Sequence, residues 1–151
     1  MATLLYMNNY AKQFHAEPPE VASVVDCQAA LRAIHDKVTT TADFNPGDVI
    51  YAARPPKGWK WHGYNRVYHG DLGTGVTLSA GTSITGAGVA ADPVKFAPAT
   101  DESLAGIKLC NEALNIGYEF DGETDVIFTI GGANCAVGIY SVAEFEFFAV
   151  N

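Results

Sequence analysis

Short runs in which apolar and polar residues alternate singly, the period of a β-strand, recur along the chain. Turn residues interrupt the alternation at near-regular intervals. The stretch from Asn45 to Ala80 sets the pattern. Asn45-Pro46-Gly47-Asp48 reads as a tight turn, because Pro fixes φ at the corner and Gly takes the φ that other residues avoid. Val49 to Ala53 follows as a strand with Val49, Tyr51 and Ala53 on one face. Pro55-Pro56-Lys57-Gly58 breaks the ladder, since neither proline can donate to it. Trp59 to His69 is a second strand region, rich in aromatic residues that suit a pleated surface. Asp71-Leu72-Gly73-Thr74-Gly75 turns again. Val76, Leu78 and Ala80 then share a buried face, with Thr77 and Ser79 opposite, toward water or a partner.

The flanking segments extend the same grammar. Val21 to Val25 is strand-like. Leu31, Ile34 and Val38 have helical spacing and Asp26 is placed as a cap, but the run Val38-Thr39-Thr40-Thr41 is β-branched, so Leu31 to Thr40 reads as a strand. A small-residue loop spans Gly81 to Pro93 and leads into Val94-Lys95-Phe96. Ala99 to Glu112 has room for one short helix, with Thr100 or Asp101 as its cap. Gly117 to Phe120 is a strand and Asp121-Gly122 a hairpin turn. In Thr124 to Ile130, Val126, Phe128 and Ile130 point inward and Asp125, Ile127 and Thr129 outward. After Gly131-Gly132-Ala133-Asn134, a long strand from Ala136 to Val150 places Val137, Ile139, Ala143, Phe145 and Phe147 on one face and Tyr140, Glu144, Glu146 and Phe148 on the other. Many short strands with glycine turns predict an all-β, jelly-roll-like β-sandwich with at most one short helix.

Residues 1–20 precede this domain, taken as residues 21–151, as an extended N-terminal arm. Leu4, Leu5, Tyr6, Tyr10 and Phe14 fit neither period, and Glu17-Pro18-Pro19-Glu20 forces an extended exit. The arm has two readings: it lies across a neighbouring subunit, or it packs on its own domain as an edge strand.

Composition narrows the class. A chain of 151 residues suits one domain, and 17% charged against 48% hydrophobic residues suits a sandwich partly covered by neighbours. Residues 1–100 balance eight basic against eight acidic groups, whereas residues 101–151 carry nine acids and only Lys108. An acidic carboxyl-terminal third argues against nucleic acid as a partner. It fits solubility, or docking on a basic protein surface. No run reaches eighteen apolar residues and no signal peptide is read, so neither a membrane nor secretion is expected. Cys27, Cys110 and Cys135 lack CxxC spacing and read as reduced thilos of a protein made in the cytoplasm, although spacing leaves a disulfide open.

Catalytic chemistry is not found, and no enzyme, cofactor or metal is expected. His15, His35, His62 and His69 are scattered, and His62 and His69 fall on opposite faces of a regular strand. Ile84 to Ala91 echoes a dinucleotide fingerprint, but Pro93 cuts short the helix that motif requires. Asp121, Glu123 and Asp125 alternate as on a solvated hairpin, whereas a calcium site needs about six oxygens from a folded loop. The remaining oddity is aromatic: Trp59, Trp61, Tyr64 and Tyr68 beside Lys57, Lys60 and Arg66. Such a patch has the composition of an interface hot spot and of a sugar-stacking surface, and also of ordinary core and strand filling.

In order and spacing, Val21 to Val25, Gly47-Asp48-Val49-Ile50, Pro56-Lys57-Gly58, Asp71-Leu72-Gly73, Thr77-Leu78, Gly117-Tyr118, Gly122-Glu123-Thr124-Asp125-Val126 and Gly131-Gly132-Ala133 resemble small tailed-bacteriophage virion proteins. These are the capsid decoration, or cement, proteins with a jelly-roll-like fold. The resemblance covers roughly residues 20–150, leaving out the first twenty residues and the tryptophan pair. It implies a homo-oligomeric structural protein on the capsid surface of a virion, a dimer or trimer, with the major capsid protein as partner and subunit bridging as its role. The interface candidates are Leu4, Leu5, Tyr6, Tyr10, Phe14, Trp59, Trp61, Tyr64 and Arg66. The alternative is a carbohydrate-binding module on the virion, stacking sugars on Trp59, Trp61 and Tyr64.

Overall fold

A computed structural model describes residues 4–6, 33–40, 43–84, 92–135 and 143–150. These form strands β1 (Leu4–Tyr6), β2 (Ala33–Thr40), β3 (Val49–Ala53), β4 (Arg66–His69), β5 (Val76–Ile84), β6 (Asp92–Asp101), β7 (Gly106–Leu109), β8 (Thr124–Gly132) and β9 (Ala143–Val150). The helical content of the described residues is one 3-10 turn, Ala113–Asn115. Tyr10, Phe14, Val21 to Val25 and Cys27 lie outside the described residues, as do parts of the loop after β5 and of the long last strand.

The chain is a single long hairpin folded over on itself. β5 pairs with β6 at its tip, β4 with β7 one rung down, β3 with β8 next, and β2 with β9 at its base, all antiparallel. Alternate rungs go to different sheets, giving one sheet in the order β1-β3-β8-β5-β6 and another in the order β2-β9-β4-β7. The rungs are stitched together by β5·β8 and β4·β9. This is an all-β sandwich of two largely antiparallel sheets. The short β1 adds in parallel along β3, with Leu4, Leu5 and Tyr6 in register with Val49, Ile50 and Tyr51.

Turn chemistry sets the corners. The Asp48 N–H donates to the Asn45 carbonyl at 3.0 Å, the Asn45 N–H donates back to the Asp48 carboxylate at 2.8 Å, and Gly47 takes φ +97° between them. That φ is open to glycine and strained for residues with a Cβ. The core follows from register. Ile50, Phe128, Ala80 and Ala97 form one row across four strands, all buried, with the large pair beside the small one.

Three sequence expectations are corrected. The segment from Ala99 to Glu112 is not helical. Its cap signal serves a turn instead, where the Asp101 carboxylate accepts the Ser103 N–H at 2.9 Å between β6 and β7. Trp59 to His69 is not one strand. Lys60 makes a single bridge to Glu119, a turn closes through the Asn65 N–H on the His62 carbonyl, and β4 starts only at Arg66. Finally, Ser79, Asp125 and Ile127 are buried although strand parity places them outward. β5 and β8 are inner strands of a five-stranded sheet, so their outward side chains are flanked on both sides. Asp125 meets Arg54, and Ile127 lies between Tyr51 and Gly81 in register.

Candidate functional site

The second sheet ends at β7. On β4 and β7 alternation is clean: Val67, His69 and Lys108 are buried, while Tyr68, Ile107 and Leu109 are exposed. The register sets Tyr68 opposite Ile107 and Arg66 opposite Leu109, and the Arg66 guanidinium lies 5.6 Å from the Tyr68 ring centroid. Beyond the strands the apolar strip continues. Cys110 donates its N–H to the Asn65 carbonyl at 2.8 Å, keeping the loop of Tyr64 beside the segment that carries Leu114 and Ile116. The Ile116 side chain lies close against the backbone of Gly63. Seven of the eight large apolar side chains exposed among the described residues come from residues 64–68 and 104–116, two segments that the β4–β7 ladder and the Ile116–Gly63 contact hold side by side.

Behind this strip sits a polar clamp. Lys108 turns inward and donates to the Glu102 carboxylate at 3.1 Å and to the Thr100 hydroxyl. The other Glu102 oxygen lies 3.1 Å from His69 Nε2, and His69 Nδ1 lies 2.9 Å from the Gly70 carbonyl oxygen. The clamp ties β7 to β4 and to the end of β6. Burial alone would raise the Glu102 carboxyl. Hydrogen bonds from Thr100 and Lys108, the Lys108 charge and the His69 contact together bring it below its ordinary 4.5. A depressed carboxyl stabilises the fold above its unfolded value, and that contribution is lost as pH falls through the folded value. Acid unfolding below pH 4.5 is therefore expected to be less steep in Glu102→Gln than in the parent, read as denaturant midpoint against pH. Parallel curves would remove the clamp from the stability account. Nearby, burial pushes the Cys110 thiol up to about 12, which makes it an inert core residue.

The sequence candidates distribute unevenly over this surface. Tyr64 is 72% exposed and stacks on His62, and Arg66 is half-buried at the strip's edge. Trp59 and Trp61 are core residues, 7% and 3% exposed. The Trp61 ring stacks on Phe96 at 3.8 Å between centroids, so the face a sugar would need is already occupied. Leu4, Leu5 and Tyr6 belong to β1, on the other sheet. Ile107 and Leu109 were missed because the helical reading of their segment hid a two-residue alternation, Ile107 and Leu109 out, Lys108 in. Asp121 and Asp125 do not converge: Asp121 accepts the N–H groups of Glu123 and Thr124, and Asp125 holds Arg54. No group of three or more metal-ligating side chains occurs among the described residues.

Fold and surface together define an all-β sandwich protein with an apolar strip along one sheet edge. No protein-family model matches the chain, and no curated protein matches it. Among solved structures it is similar to a chain in the capsid of Ralstonia phage GP4, with a TM-score of 0.60 and 16% identity over 97% of this chain and 97% of that one. It is also similar to a chain in the capsid asymmetric unit of cyanophage Pam1, with a TM-score of 0.56 and 15% identity over 87% of this chain and 96% of that one. At these identities the likeness is one of fold.

Proposed function

We propose that this chain is a virion structural protein that decorates a phage capsid and stabilises it by bridging major capsid subunits. The observation that carries the reading is the apolar strip of Tyr64, Tyr68, Ile107, Leu109, Leu114 and Ile116 on a fold shared almost end to end with chains of two phage capsids. The mechanism is additive burial. A specific interface of standard size buries about 1,200–2,000 Å². Many copies, each covering a seam between shell subunits, resist the pressure of packed DNA. Tyr64, Leu114 and Ile116, projecting from loops, face the major capsid protein, with Arg66 at their rim. Residues 1–20 act as an arm, through Leu4, Leu5, Tyr6, Tyr10 and Phe14, on a domain spanning residues 21–151. The protein is made in the host cytoplasm and resides on the capsid surface. No catalytic residue, metal or cofactor enters this reading.

Purified shells lacking the protein supply the test. The paired substitution Tyr64→Asp and Ile116→Asp is expected to lower occupancy on the shell by at least about tenfold, because truncating buried aromatic and aliphatic anchors costs more than about 1 kcal/mol each. Full occupancy by this variant would reject the reading.

A further inference from the structure

The open side of β7 has a property beyond being apolar. Cys110 donates its N–H to Asn65, and bonded pairs in an antiparallel ladder recur at every second residue. Lys108 with Val67 and Gly106 with His69 are then the bonded pairs facing β4, in the observed register. Ile107 and Leu109 turn their N–H and C=O groups the other way, toward an edge on which no strand pairs among the described residues. Edge strands are ordinarily blunted by an outward charge, a proline or a bulge. This one has none: its sequence is Gly-Ile-Lys-Leu, and its lysine is buried in the Glu102 clamp.

We propose that β7 is a self-pairing edge, against which a second copy of this chain lays its own β7 antiparallel about a two-fold axis at Lys108. That register places Ile107 of each copy opposite Leu109 of the other, so the groups left open by one strand are those the other needs. The exposed side chains form two apolar cross-strand pairs, and the two Lys108 side chains that meet at the axis are buried, each paired with its own Glu102. The result is one continuous sheet of eight strands, since each copy contributes the four of β2-β9-β4-β7. This inference rests on reading the strip as an assembly surface and does not require a capsid.

Sedimentation equilibrium on the full chain tests it directly. The parent is expected at twice the 16.1 kDa of a single chain. Leu109→Glu, which sets a carboxylate into the cross-strand pair, is expected to weaken association by at least about tenfold. Ile107→Pro removes an edge donor without touching the bonds to β4, and is expected to do the same. Val94→Glu alters an exposed apolar residue on the other sheet and should leave the dimer intact. A parent that sediments as a single chain at all concentrations would overturn the proposal, as would a Leu109→Glu variant with parental far-ultraviolet dichroism and undiminished dimerisation. The capsid reading is judged separately, by shell occupancy of the Tyr64 and Ile116 variant, so the two fail independently.

Discussion

Replacing Trp61 by alanine is expected to lower the free energy of unfolding by about 3–5 kcal/mol, the range for deleting a buried large aromatic side chain. Trp61 packs against Phe96 of β6 at 3.8 Å and Phe120 at 6.1 Å between ring centroids, and its Nε1 donates to the Cys110 carbonyl at 2.8 Å. It thus bridges β6, in one sheet, to the residue that follows β7, in the other. Deletion removes the packing and also leaves the buried Cys110 carbonyl without that donor. Trp61→Phe separates the two effects. It keeps most of the packing and loses the hydrogen bond, for an expected loss of about 1–3 kcal/mol. Urea denaturation measures both, and an alanine variant within about 1 kcal/mol of the parent would show that the loop does not join the sheets. Domains of this kind have only about 5–15 kcal/mol in total, so the alanine variant is also expected to be poorly recovered from expression.

The second large effect is electrostatic. Asp125 is fully buried and its carboxylate takes two bonds from Arg54, at 2.8 and 3.2 Å. Removing one member of a buried pair leaves the other charge without compensation, which costs about 3–5 kcal/mol when both are buried. Arg54 keeps 21% exposure, so some of its charge remains hydrated and the low end, about 3 kcal/mol, is expected for Asp125→Ala. Asp125→Asn retains an acceptor and the shape, and should fall between the alanine variant and the parent. The pair lies across β3 and β8, so amide exchange should rise first at the β3 register positions of the alanine variant. Loss of stability without any change in exchange along β3 would mean that the pair stabilises the chain in some other way.

Much of this architecture could be read from residue order because the corners are chemically explicit. Asn45-Pro46-Gly47-Asp48 specifies its turn through proline, glycine and an aspartate in reach of a backbone N–H. The runs Val76-Leu78-Ala80 and Val126-Phe128-Ile130 specify which face is inside. Parity alone does not say whether the other face is covered, which is why Ser79, Asp125 and Ile127 read as outward. Covering depends on a strand's place in the sheet, and that place is set by non-local pairing. The surface was legible only in part. Tyr64 stood out as an aromatic residue beside basic ones, and so did the tryptophans that turned out to be core. Residue identity cannot separate these cases, because a buried Trp61 and an exposed Tyr64 share one short loop. The short β7 was obscured by cap-like residues at Thr100 and Asp101 that serve the clamp and the turn.

The hairpin topology has a consequence for when the second sheet can close. β9 lies between β2 and β4, so the second sheet has no continuous ladder until residues 143–150 are in place. Contacts between distant parts of a chain dominate such a fold, and high contact order makes folding slow, on the order of milliseconds to seconds. A nascent chain stalled before β9 would leave β2 without its partner and β4 paired on the β7 side alone. Synthesis through residue 150 must therefore precede closure of the second sheet, so this layer of the sandwich is completed by its last strand.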